Sequence, residues 1–280
     1  MLGSLTDNLK KWKATRTAGQ PISCQTIAVC SRKGGVGKTT TTAHLAVASA
    51  RWHGLRVLVV DLDPQGHIHK VLAHLLNGED ARPLSSVFMS KKGDILDACV
   101  STTIPNLWIA PADESLDEVQ TLLSSRIGRE FILKSMLSRV QESFDLVLFD
   151  CPPNVDTLTL NALVASRHVL IPTELTLLAL EGVADIVEAV DTIRDRLGLP
   201  VEILGVVVSR MDRRTKALNR ELLEILDSRY GAHVLSTMVP ANSAVPRACI
   251  EGKPVFDYDP KSLGAEGFRL ATEEVLDRLT

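Results

Sequence analysis

The chain has 280 residues, of which 45% are hydrophobic and 23% charged, a globular balance far from the composition of a disordered protein. Its 31 basic and 34 acidic side chains give a formal net charge of −3. The chain therefore has no overall basic excess for nucleic acid, although a local basic patch remains open. No apolar run approaches the roughly 18 residues that a membrane span requires.

Residues 1–24 differ in composition from the rest and predict a basic N-terminal extension. Leu5, Leu9 and Trp12 share one face of a possible short helix. The basic residues of the segment are Lys10, Lys11, Lys13 and Arg16. Two interpretations stay open: a terminus that packs its tryptophan on the body, or a contact with a partner, DNA or a membrane surface. Because the segment lacks the apolar core of a signal peptide, we expect a cytoplasmic protein.

From Gln25 onward, short apolar runs alternate with longer segments of helical pattern. The predicted strands are 26–31, 56–62, 106–112, 145–151, 168–173, 202–209 and 233–240. The predicted helices are 38–53, 115–143, 157–166, 177–197, 215–229 and 265–279. Near-continuous apolar strands are typical of a parallel sheet that helices cover on both faces. The sequence thus predicts an α/β fold with a doubly wound, mostly parallel sheet in one domain, residues 25–280.

The segment SRKGGVGKTT, residues 31–40, joins the first predicted strand to the first helix. Glycines let successive backbone N–H groups point at phosphate oxygens, and the helix N-terminus adds partial positive charge. We expect Lys38 to reach the β- and γ-phosphates of ATP and the Thr39 hydroxyl to ligate Mg²⁺. The predicted nucleotide-binding residues here are Lys33, Gly34, Gly35, Val36, Gly37, Lys38, Thr39 and Thr40.

This loop departs from the strict G-x-x-x-x-G-K-[ST] pattern, because Arg32 stands where the first glycine belongs. Lys33 lies inside the loop instead, and KGGVGKTT resembles the deviant Walker A loop of the ParA/MinD family of P-loop ATPases. The resemblance implies that Lys33 crosses a dimer interface to the partner's nucleotide and acts with Lys38 in catalysis. It covers about residues 25–280.

Three acidic residues follow two of the predicted strands, where ligands of open α/β sheets bind. Asp61 and Asp63 belong to the segment DLDPQG, and Asp150 ends the run LVLF. The resemblance implies that Asp63 positions or activates the attacking water. It also implies that Asp61 supports Mg²⁺ and that Asp150 is the Walker B carboxylate, so that Thr39, Asp61 and Asp150 form the metal set. Each aspartate alone is equally consistent with a solvated strand end or a helix cap.

The C-terminal part extends the resemblance. Asp212 follows a predicted strand where the family has nucleotide-facing residues, and Pro240 and Asn242 match a loop that contacts adenine. The segments EGKPV and YDPKS resemble the ParA C-terminal pattern. The five cysteines lack the paired spacing of cluster-binding relatives, and the last helix is acidic, unlike a basic membrane anchor.

These features favour the ParA partition branch. Its resemblance implies an ATP-dependent homodimer that binds non-specific DNA on the nucleoid and segregates or positions a plasmid, chromosome region or protein assembly. Negative charge develops on the γ-phosphate oxygens during hydrolysis, so cations must already be in place. We therefore expect slow hydrolysis that dimerisation and a ParB-like partner stimulate.

DNA binding by a chain of net charge −3 requires a concentrated basic patch. The candidate residues are Arg210, Arg213, Arg214, Lys216, Arg220 and Arg247. A solvated basic start of a helix is the alternative. The chain also has Ala241 and Ala244 where related proteins commonly carry arginines, so the DNA contact has either moved or been lost.

Two other functions stay open: a nucleotide-switched regulatory or scaffold protein without DNA binding, and a metabolic relative that uses ATP to activate carboxylates. His67 and His69 are two positions apart, a spacing that favours helix-surface residues over a metal pair. For Cys30 and Cys151, which end two strands, we expect buried apolar packing.

Overall fold

The computed structural model describes residues 24–78, 80–90, 92–212 and 214–279. Almost all of the predicted N-terminal extension, residues 1–23, therefore lies outside the described residues. The strands of the described residues are β1 Gln25–Val29, β2 Val57–Asp61, β3 Val100–Ser101, β4 Leu107–Ala110, β5 Leu146–Asp150, β6 His168–Thr173 and β7 Glu202–Val208.

Helices alternate with these strands along the chain. The α-helices of the described residues are α1 Lys38–His53, α2 His67–Val71, α3 Leu84–Met89, α4 Leu116–Leu123, α5 Ile132–Leu137, α6 Thr157–Ala165, α7 Leu177–Leu197, α8 Lys216–Tyr230, α9 Ala244–Ile250, α10 Val255–Tyr258 and α11 Leu263–Asp277. Short 3₁₀ turns cover Ala73–Leu75, Ile95–Ala98, Arg129–Phe131, Gln141–Ser143 and Gly231–His233. Within the described ranges, no helix is long and apolar enough to cross a bilayer.

The seven strands of the described residues form one sheet in the order β3-β4-β2-β5-β1-β6-β7. Every neighbouring pair is parallel except β3 and β4, which are antiparallel at one edge. This arrangement confirms the predicted doubly wound, mostly parallel sheet. The register pairs Asp150 with Val29 on one side and with Asp61 on the other. The chain segments that follow β1, β2 and β5 therefore meet at one edge of the sheet.

Alternate side chains of the strands enter two separate cores, one on each face. Ala28, Leu58 and Val60 pack with α6 and α7, whereas Ile27 and Val59 pack with α1 and α11. All of these strand residues are inaccessible to solvent. Burial on both faces explains why the strands are near-continuous apolar runs in the sequence.

A fully buried histidine links α1 to the C-terminal helices on the second face. The His44 Nδ1 atom lies 2.7 Å from the Thr40 carbonyl, and its Nε2 atom accepts a hydrogen bond of 2.9 Å from the Val255 amide. The ring also stacks on Phe268, with 4.4 Å between centroids. These contacts fix the neutral ring, and burial lowers the pKa of His44 from 6.5 to about 4.

A buried ion pair closes the opposite edge of the sheet, where β2 and β5 begin. Arg56 is 2% exposed, and its guanidinium donates to both carboxylate oxygens of Asp145 at 2.7 and 3.0 Å. The same guanidinium donates to the carbonyls of Glu142 and Ser143. This network satisfies polar groups that burial would otherwise leave unpaired.

Two predicted elements were wrong. Residues 233–240 form no continuous strand: they have isolated bridges at Val234 and Pro240, and the Leu235 and Val239 amides donate to carbonyls of β7. The Ser236 and Thr237 amides donate to the carboxylate of Glu274 on α11, which takes this segment out of the ladder.

The long helix predicted over 115–143 is broken into several pieces. Helix α4 ends at Leu123, and Gly128 adopts a left-handed backbone with φ of 72°. Glycine takes this conformation without a Cβ clash, so the chain turns here before a 3₁₀ turn and α5 follow. The apolar periodicity of the segment came from separate short helices on the same face of the sheet.

Candidate functional site

The loop between β1 and α1, residues 30–37, lies at the edge where the ends of β2 and β5 also meet. Gly35 and Gly37 have φ angles of 79° and 89°, which favour glycine over other residues. A Cβ on Gly37 would lie 3.4 Å from the Ser209 hydroxyl oxygen. That hydroxyl donates to the carbonyl of the buried Val36 and ties the loop to the end of β7. The loop is thus held in a tight turn directly before the N-terminus of α1.

Lys38 begins α1 and points its side chain back along the loop. It is 8% exposed, and its ammonium lies 3.4 Å from the Lys33 carbonyl oxygen. Thr39 and Thr40 are half-buried beside it in the first turn. A buried ammonium at a helix N-terminus that is capped by glycine provides a concentrated positive site for phosphate.

Asp61 ends β2 and organises the turn that follows. It is completely buried, and its two oxygens accept hydrogen bonds of 3.1 Å from the amides of Asp63 and Ile68. Burial, and then the negative charge of Asp150, raise the pKa of Asp61 well above its usual value. The Asp61 carboxylate thus positions Asp63 and the start of α2. The place of Asp61 at the end of a predicted strand did not indicate this role.

Asp63 lies two residues after Asp61, and its side chain is 11% exposed. Its Oδ1 atom accepts from the Gln65 amide at 3.1 Å, and its Oδ2 atom lies 4.0 Å from His67 Nδ1. The second oxygen therefore faces a titratable, half-exposed side chain at the mouth of the site. His67 and His69 are exposed on α2, as predicted for helix-surface residues.

Asp150 ends β5, is fully buried, and directs one oxygen to the Thr42 hydroxyl at 3.2 Å. Its other oxygen has no hydrogen-bond partner within the described part of the chain. Burial raises the pKa of Asp150 to about 7, although the Thr39 hydroxyl and the Lys38 charge act in the opposite direction.

These residues fit a triphosphate with Mg²⁺. An unpartnered buried carboxylate oxygen costs free energy unless a ligand completes it. Carboxylate and hydroxyl oxygens of the kind that Asp150 and Thr39 carry are the ligands Mg²⁺ prefers. The buried hydroxyl oxygens of Ser31 and Thr41 likewise lack partners among the described residues. A bound Mg²⁺ would supply positive charge against the phosphate oxygens.

A cavity of about 650 Å³ opens beside the loop. It is lined on one side by Gly35, Gly37 and Thr40, and on the other by Pro240 and Asn242, so the fold brings together two groups of residues for which the sequence predicted nucleotide contacts. The sequence did not identify the other lining residues Val245, Pro246, Cys249, Ile250 and Phe268. They sit on α9 and α11, and no local motif connects those helices to the phosphate loop.

Asp212 lies apart from the residues that line this cavity. Its carboxylate accepts hydrogen bonds from the Arg214 side chain at 2.7 to 3.2 Å and from the Arg214 amide. The Arg214 guanidinium lowers the pKa of Asp212 to about 2. Its neighbour Met211 pairs with the loop at Pro240, and the nucleotide contact of Asp212 stays a prediction.

The remaining cations of the loop are held by side chains beyond β6. The Lys33 ammonium donates to Glu174 at 3.3 Å and to the Thr176 hydroxyl at 3.2 Å. Arg32 pairs with Asp185 on α7 at 2.8 Å. Arg210 reaches both Glu174 at 3.0 Å and the Gly35 carbonyl at 2.8 Å. Arg210 thus lies over the phosphate loop, between Gly35 and Glu174.

The other predicted DNA-binding residues are spread over two helices. Lys216 and Arg220 line a groove of about 450 Å³ on α8, together with Glu224 and Asp227. Arg247 is exposed on α9. Within the described ranges, Lys216, Arg220 and Arg247 take part in no ion pair, in contrast to Arg214. Arg213 lies outside the described residues. Ala241 is exposed and Ala244 is buried at the start of α9.

The cysteines near the loop are buried, as predicted. Cys30 and Cys151 are free thiols with exposures of 0% and 1%, and their sulfur atoms lie 2.9 Å apart. Among the described residues, no group of three or more histidine, cysteine or acidic side chains is arranged to hold a metal ion by itself. Mg²⁺ at nucleotide sites is generally bound by one or two carboxylates together with phosphate oxygens.

Together, the doubly wound sheet and the glycine-rich loop with its lysine and distal aspartate define a P-loop nucleoside triphosphatase. A family model described as an AAA domain matches residues 24–203. The sporulation initiation inhibitor protein Soj of Bacillus subtilis is 35% identical over 249 residues, covering 89% of this chain and 97% of Soj. The chromosome partitioning protein ParA of Caulobacter vibrioides is 34% identical, covering 90% and 94% of the two chains.

Solved structures agree with this assignment. A Mycobacterium smegmatis protein named cobyrinic acid a,c-diamide synthase, with bound ATP analogue and magnesium, superposes with a TM-score of 0.75 at 30% identity. It covers 90% of this chain and 94% of its own. A Cyanothece McdA–ATP complex has a TM-score of 0.79 at 22% identity over 91% and 97% of the chains, a likeness of fold. The chain belongs to the ParA/Soj family of P-loop ATPases.

Proposed function

We propose that the chain is a Mg²⁺-dependent ATPase that alternates between a monomer and an ATP-sandwich homodimer. In its dimeric form it binds non-specific DNA and segregates or positions a cargo: a plasmid, a chromosome region or a protein assembly. Its cofactors are ATP and Mg²⁺. Hydrolysis is slow, and a ParB-like or other adaptor protein stimulates it. The protein acts in the cytoplasm, at the nucleoid.

The observation that carries this proposal is the difference between the two loop lysines. Lys38 is buried along the loop, where it serves the phosphates bound by its own chain. Lys33 instead directs a side chain that is 32% exposed away from the loop, toward Glu174 and Thr176. A cation in that position is accessible to a second chain placed against this edge.

Each site residue has a defined part in the proposed reaction. The loop amides and Lys38 bind and orient the phosphates, and the Thr39 hydroxyl and Asp150 hold Mg²⁺. Asp61 positions Asp63, whose carboxylate orients the attacking water. Because charge accumulates on the γ-phosphate oxygens, a Lys33 supplied by the partner raises the rate only after dimerisation.

Lys33→Ala tests the dimer mechanism. It should retain ATP binding but lose ATP-dependent dimerisation and stimulated turnover, whereas Lys38→Ala should lose ATP binding. Sedimentation velocity with ATP, ADP and no nucleotide measures the first effect, and fluorescent-nucleotide titration measures the second. Intact ATP-dependent dimerisation and stimulated turnover in the Lys33 variant would show that the mechanism is wrong.

DNA binding by the dimer relies on basic residues on α8 and α9 and on Arg213 and Arg214, which precede α8 in the sequence. The dimer presents this patch twice, so a chain of net charge −3 still provides a local positive surface. Lys216 and Arg220 are the strongest candidates, since neither is ion-paired within the described residues.

Mobility shift on random-sequence duplex across a salt series tests this assignment. Lys216→Ala/Arg220→Ala should keep ATP binding and reduce the salt slope of the dimer by about 3 to 4, because each lost phosphate contact contributes ~0.9. Arg213→Ala/Arg214→Ala should also lose DNA affinity. The matched control is Arg126→Ala/Arg196→Ala, which removes the same charge from another exposed surface. Equal affinity and slope in all the variants would refute the assignment.

A nucleotide-switched regulator that controls partner proteins without DNA is the second candidate. The relative Soj bears the name of a sporulation initiation inhibitor, and Ala241 and Ala244 remove arginines expected in DNA-binding relatives. The same experiment separates the two functions. ATP-dependent dimerisation without DNA binding at any salt concentration would favour the regulator.

The third candidate is a metabolic enzyme that activates a carboxylate with ATP. The likeness to the Mycobacterium smegmatis protein, which bears the name of a diamide synthase, supports it. ADP release that depends on a carboxylic acid substrate would distinguish it from both switches. The partition function instead predicts ADP release that depends on protein concentration and on the adaptor.

A further inference from the structure

One carboxylate beyond β6 holds two cations of the phosphate-loop edge. Glu174 directly follows Thr173, the last residue of β6, and its side chain is 20% exposed. Its Oε2 atom lies 3.3 Å from the Lys33 ammonium, and its Oε1 atom lies 3.0 Å from the Arg210 guanidinium. Lys33 and Arg210 are distant in sequence, so only the folded chain brings them to the same acid.

The Lys33 side chain is held by two groups rather than by one. Besides Glu174, its ammonium donates to the hydroxyl of Thr176 at 3.2 Å. That hydroxyl also accepts from the Ala179 amide and caps α7, so its position is fixed by the helix. Lys33 is therefore anchored to its own chain, and it must leave this anchor before it can reach the nucleotide of a second chain.

Arg210 keeps the carboxylate compensated when Lys33 leaves. Its guanidinium donates to the Gly35 carbonyl at 2.8 Å as well as pairing with Glu174. Its backbone has φ of 54°, a left-handed conformation that arginine rarely adopts. Such conformations persist where surrounding structure imposes them, and they cluster at functional positions. Arg210 thus bridges the loop and Glu174 independently of Lys33.

We propose that Glu174 is a positioning residue that retains Lys33 in the single chain and sets the protein concentration at which ATP drives two chains together. This inference rests on the proposed ATP-sandwich dimer. Each dimer must release two Lys33 side chains, so the contact opposes assembly twice. Arg210 competes with Lys33 for the Glu174 carboxylate. It therefore weakens the Lys33–Glu174 ion pair and makes the release of Lys33 from Glu174 reversible.

The neighbouring ion pair of Arg32 with Asp185 provides a matched control. It joins the same loop to α7 at 2.8 Å, and both side chains are partly exposed, but it does not touch Lys33. Asp185→Asn removes one negative charge from the same region as Glu174→Gln does. A general change in net charge or loop anchoring would affect both variants alike.

The first experiment measures Lys33 directly in nucleotide-free monomer. The protein is pulsed with acetic anhydride, and acylation of Lys33 is followed by peptide mass spectrometry. Glu174→Gln should accelerate acylation of Lys33 severalfold relative to wild type, because a Lys33 side chain that has lost its carboxylate partner is more accessible to the reagent. Arg210→Met should slow it, and Asp185→Asn should leave it unchanged.

The second experiment measures assembly by sedimentation velocity at saturating Mg²⁺ and ATP. Partly exposed ion pairs are worth a few-fold in an equilibrium constant, and two are broken per dimer. Glu174→Gln should therefore lower the dimer dissociation constant about tenfold, Arg210→Met should raise it, and Asp185→Asn should not change it. Thermal melting checks that each variant is folded.

Each outcome is decisive. Unchanged acylation of Lys33 in folded Glu174→Gln would overturn the retention of Lys33, whatever the assembly does. Faster acylation with an unchanged dimer dissociation constant would overturn its role in assembly. A wild-type chain that stays monomeric with ATP would instead refute the proposed dimer itself, and the proposed role of Glu174 with it.

Discussion

Strands β2 and β5 carry charged side chains at both ends, and the two ends are constructed in opposite ways. Where the strands begin, Arg56 and Asp145 pair within the chain, and backbone carbonyls accept the remaining guanidinium hydrogens. Where they finish, Asp61 and Asp150 lie opposite each other in register, and Asp150 keeps an oxygen without a partner in the described part of the chain. The first end is complete without a ligand, and the second is not.

The difference separates stability from function. A buried ion pair whose hydrogen bonds are all made holds the fold together, and removing one partner strands the other charge. Burial raises the pKa of both Asp61 and Asp150, and the charge of Asp150 raises that of Asp61 further, so two buried carboxylates side by side weaken the empty protein and indicate a ligand that compensates them. The same strands therefore provide a structural end and a reactive end.

Removing the buried Arg56–Asp145 pair should produce the largest change in the free energy of unfolding. Arg56→Met leaves Asp145 buried without its main partner and should lower the free energy of unfolding by about 3 to 5 kcal/mol. Urea denaturation measures this loss, and ATP affinity of the folded fraction should be unchanged. Arg56→Met/Asp145→Leu should recover most of the stability. A double variant as unstable as the single one would contradict the explanation.

A satisfied polar group near the reactive end should behave like the closed pair. His44 has a folded pKa of about 4, below its unfolded value of 6.5. Protonation thus favours the unfolded chain, so the stabilising contribution is complete above about pH 6.5 and is lost as the pH falls toward 4. Wild type should lose about 2 kcal/mol more than His44→Gln between pH 7.5 and 5, by the linkage relation.

Urea titrations of both proteins at several pH values measure this difference. Parallel pH profiles for wild type and His44→Gln would show that His44 is not the titrating group. The comparison isolates His44 because the other acidic and basic side chains are common to both proteins.

Neutralising Asp150, at the end of the strands that lacks a complete set of partners, should raise the stability of the nucleotide-free protein rather than lower it. Asp150→Asn removes a buried charge that has no hydrogen-bond partner on one oxygen, so the nucleotide-free protein should gain about 1 to 2 kcal/mol of stability. The same variant should lose the stabilisation that Mg²⁺ and ATP give the wild type. That stabilisation is about 2.7 kcal/mol when the ligand is at 100 times its Kd, and it appears as a rise in melting temperature. Differential scanning fluorimetry with and without Mg²⁺-ATP tests both effects, and a destabilised nucleotide-free variant would be evidence against ligand-dependent compensation.

An exposed pair should matter least. Arg214 and Asp212 make short contacts, but both lie at the surface, where ion pairs contribute little. Arg214→Ala should leave the free energy of unfolding close to that of the wild type. Urea denaturation of this variant beside Arg56→Met gives the comparison. A loss as large as that of Arg56→Met would remove the distinction between buried and exposed pairs.

The sequence alone determined the sheet and the phosphate loop. Strands buried on both faces are continuous apolar runs, so six predicted strands and the parallel arrangement could be identified from local pattern. KGGVGKTT could also be identified locally, because its glycines, lysine and threonine form the pattern of a phosphate-binding loop within one short segment. Asp61 and Asp150 could be placed as well, since strand ends of a parallel sheet share an edge.

Tertiary structure decided what depends on residues distant in sequence. Residues 233–240 have the sequence pattern of a strand, yet two of their backbone amides donate hydrogen bonds to the Glu274 carboxylate instead of to a neighbouring strand. Arg210 was grouped with a basic surface, yet folding brings it to Glu174 and Gly35. A local sequence pattern shows which side chains are apolar or charged. The partner of each charged side chain depends on which distant segments the fold brings together. The sequence therefore predicted where phosphate binds, and the fold decided which cations lie beside that loop and which carboxylate holds them.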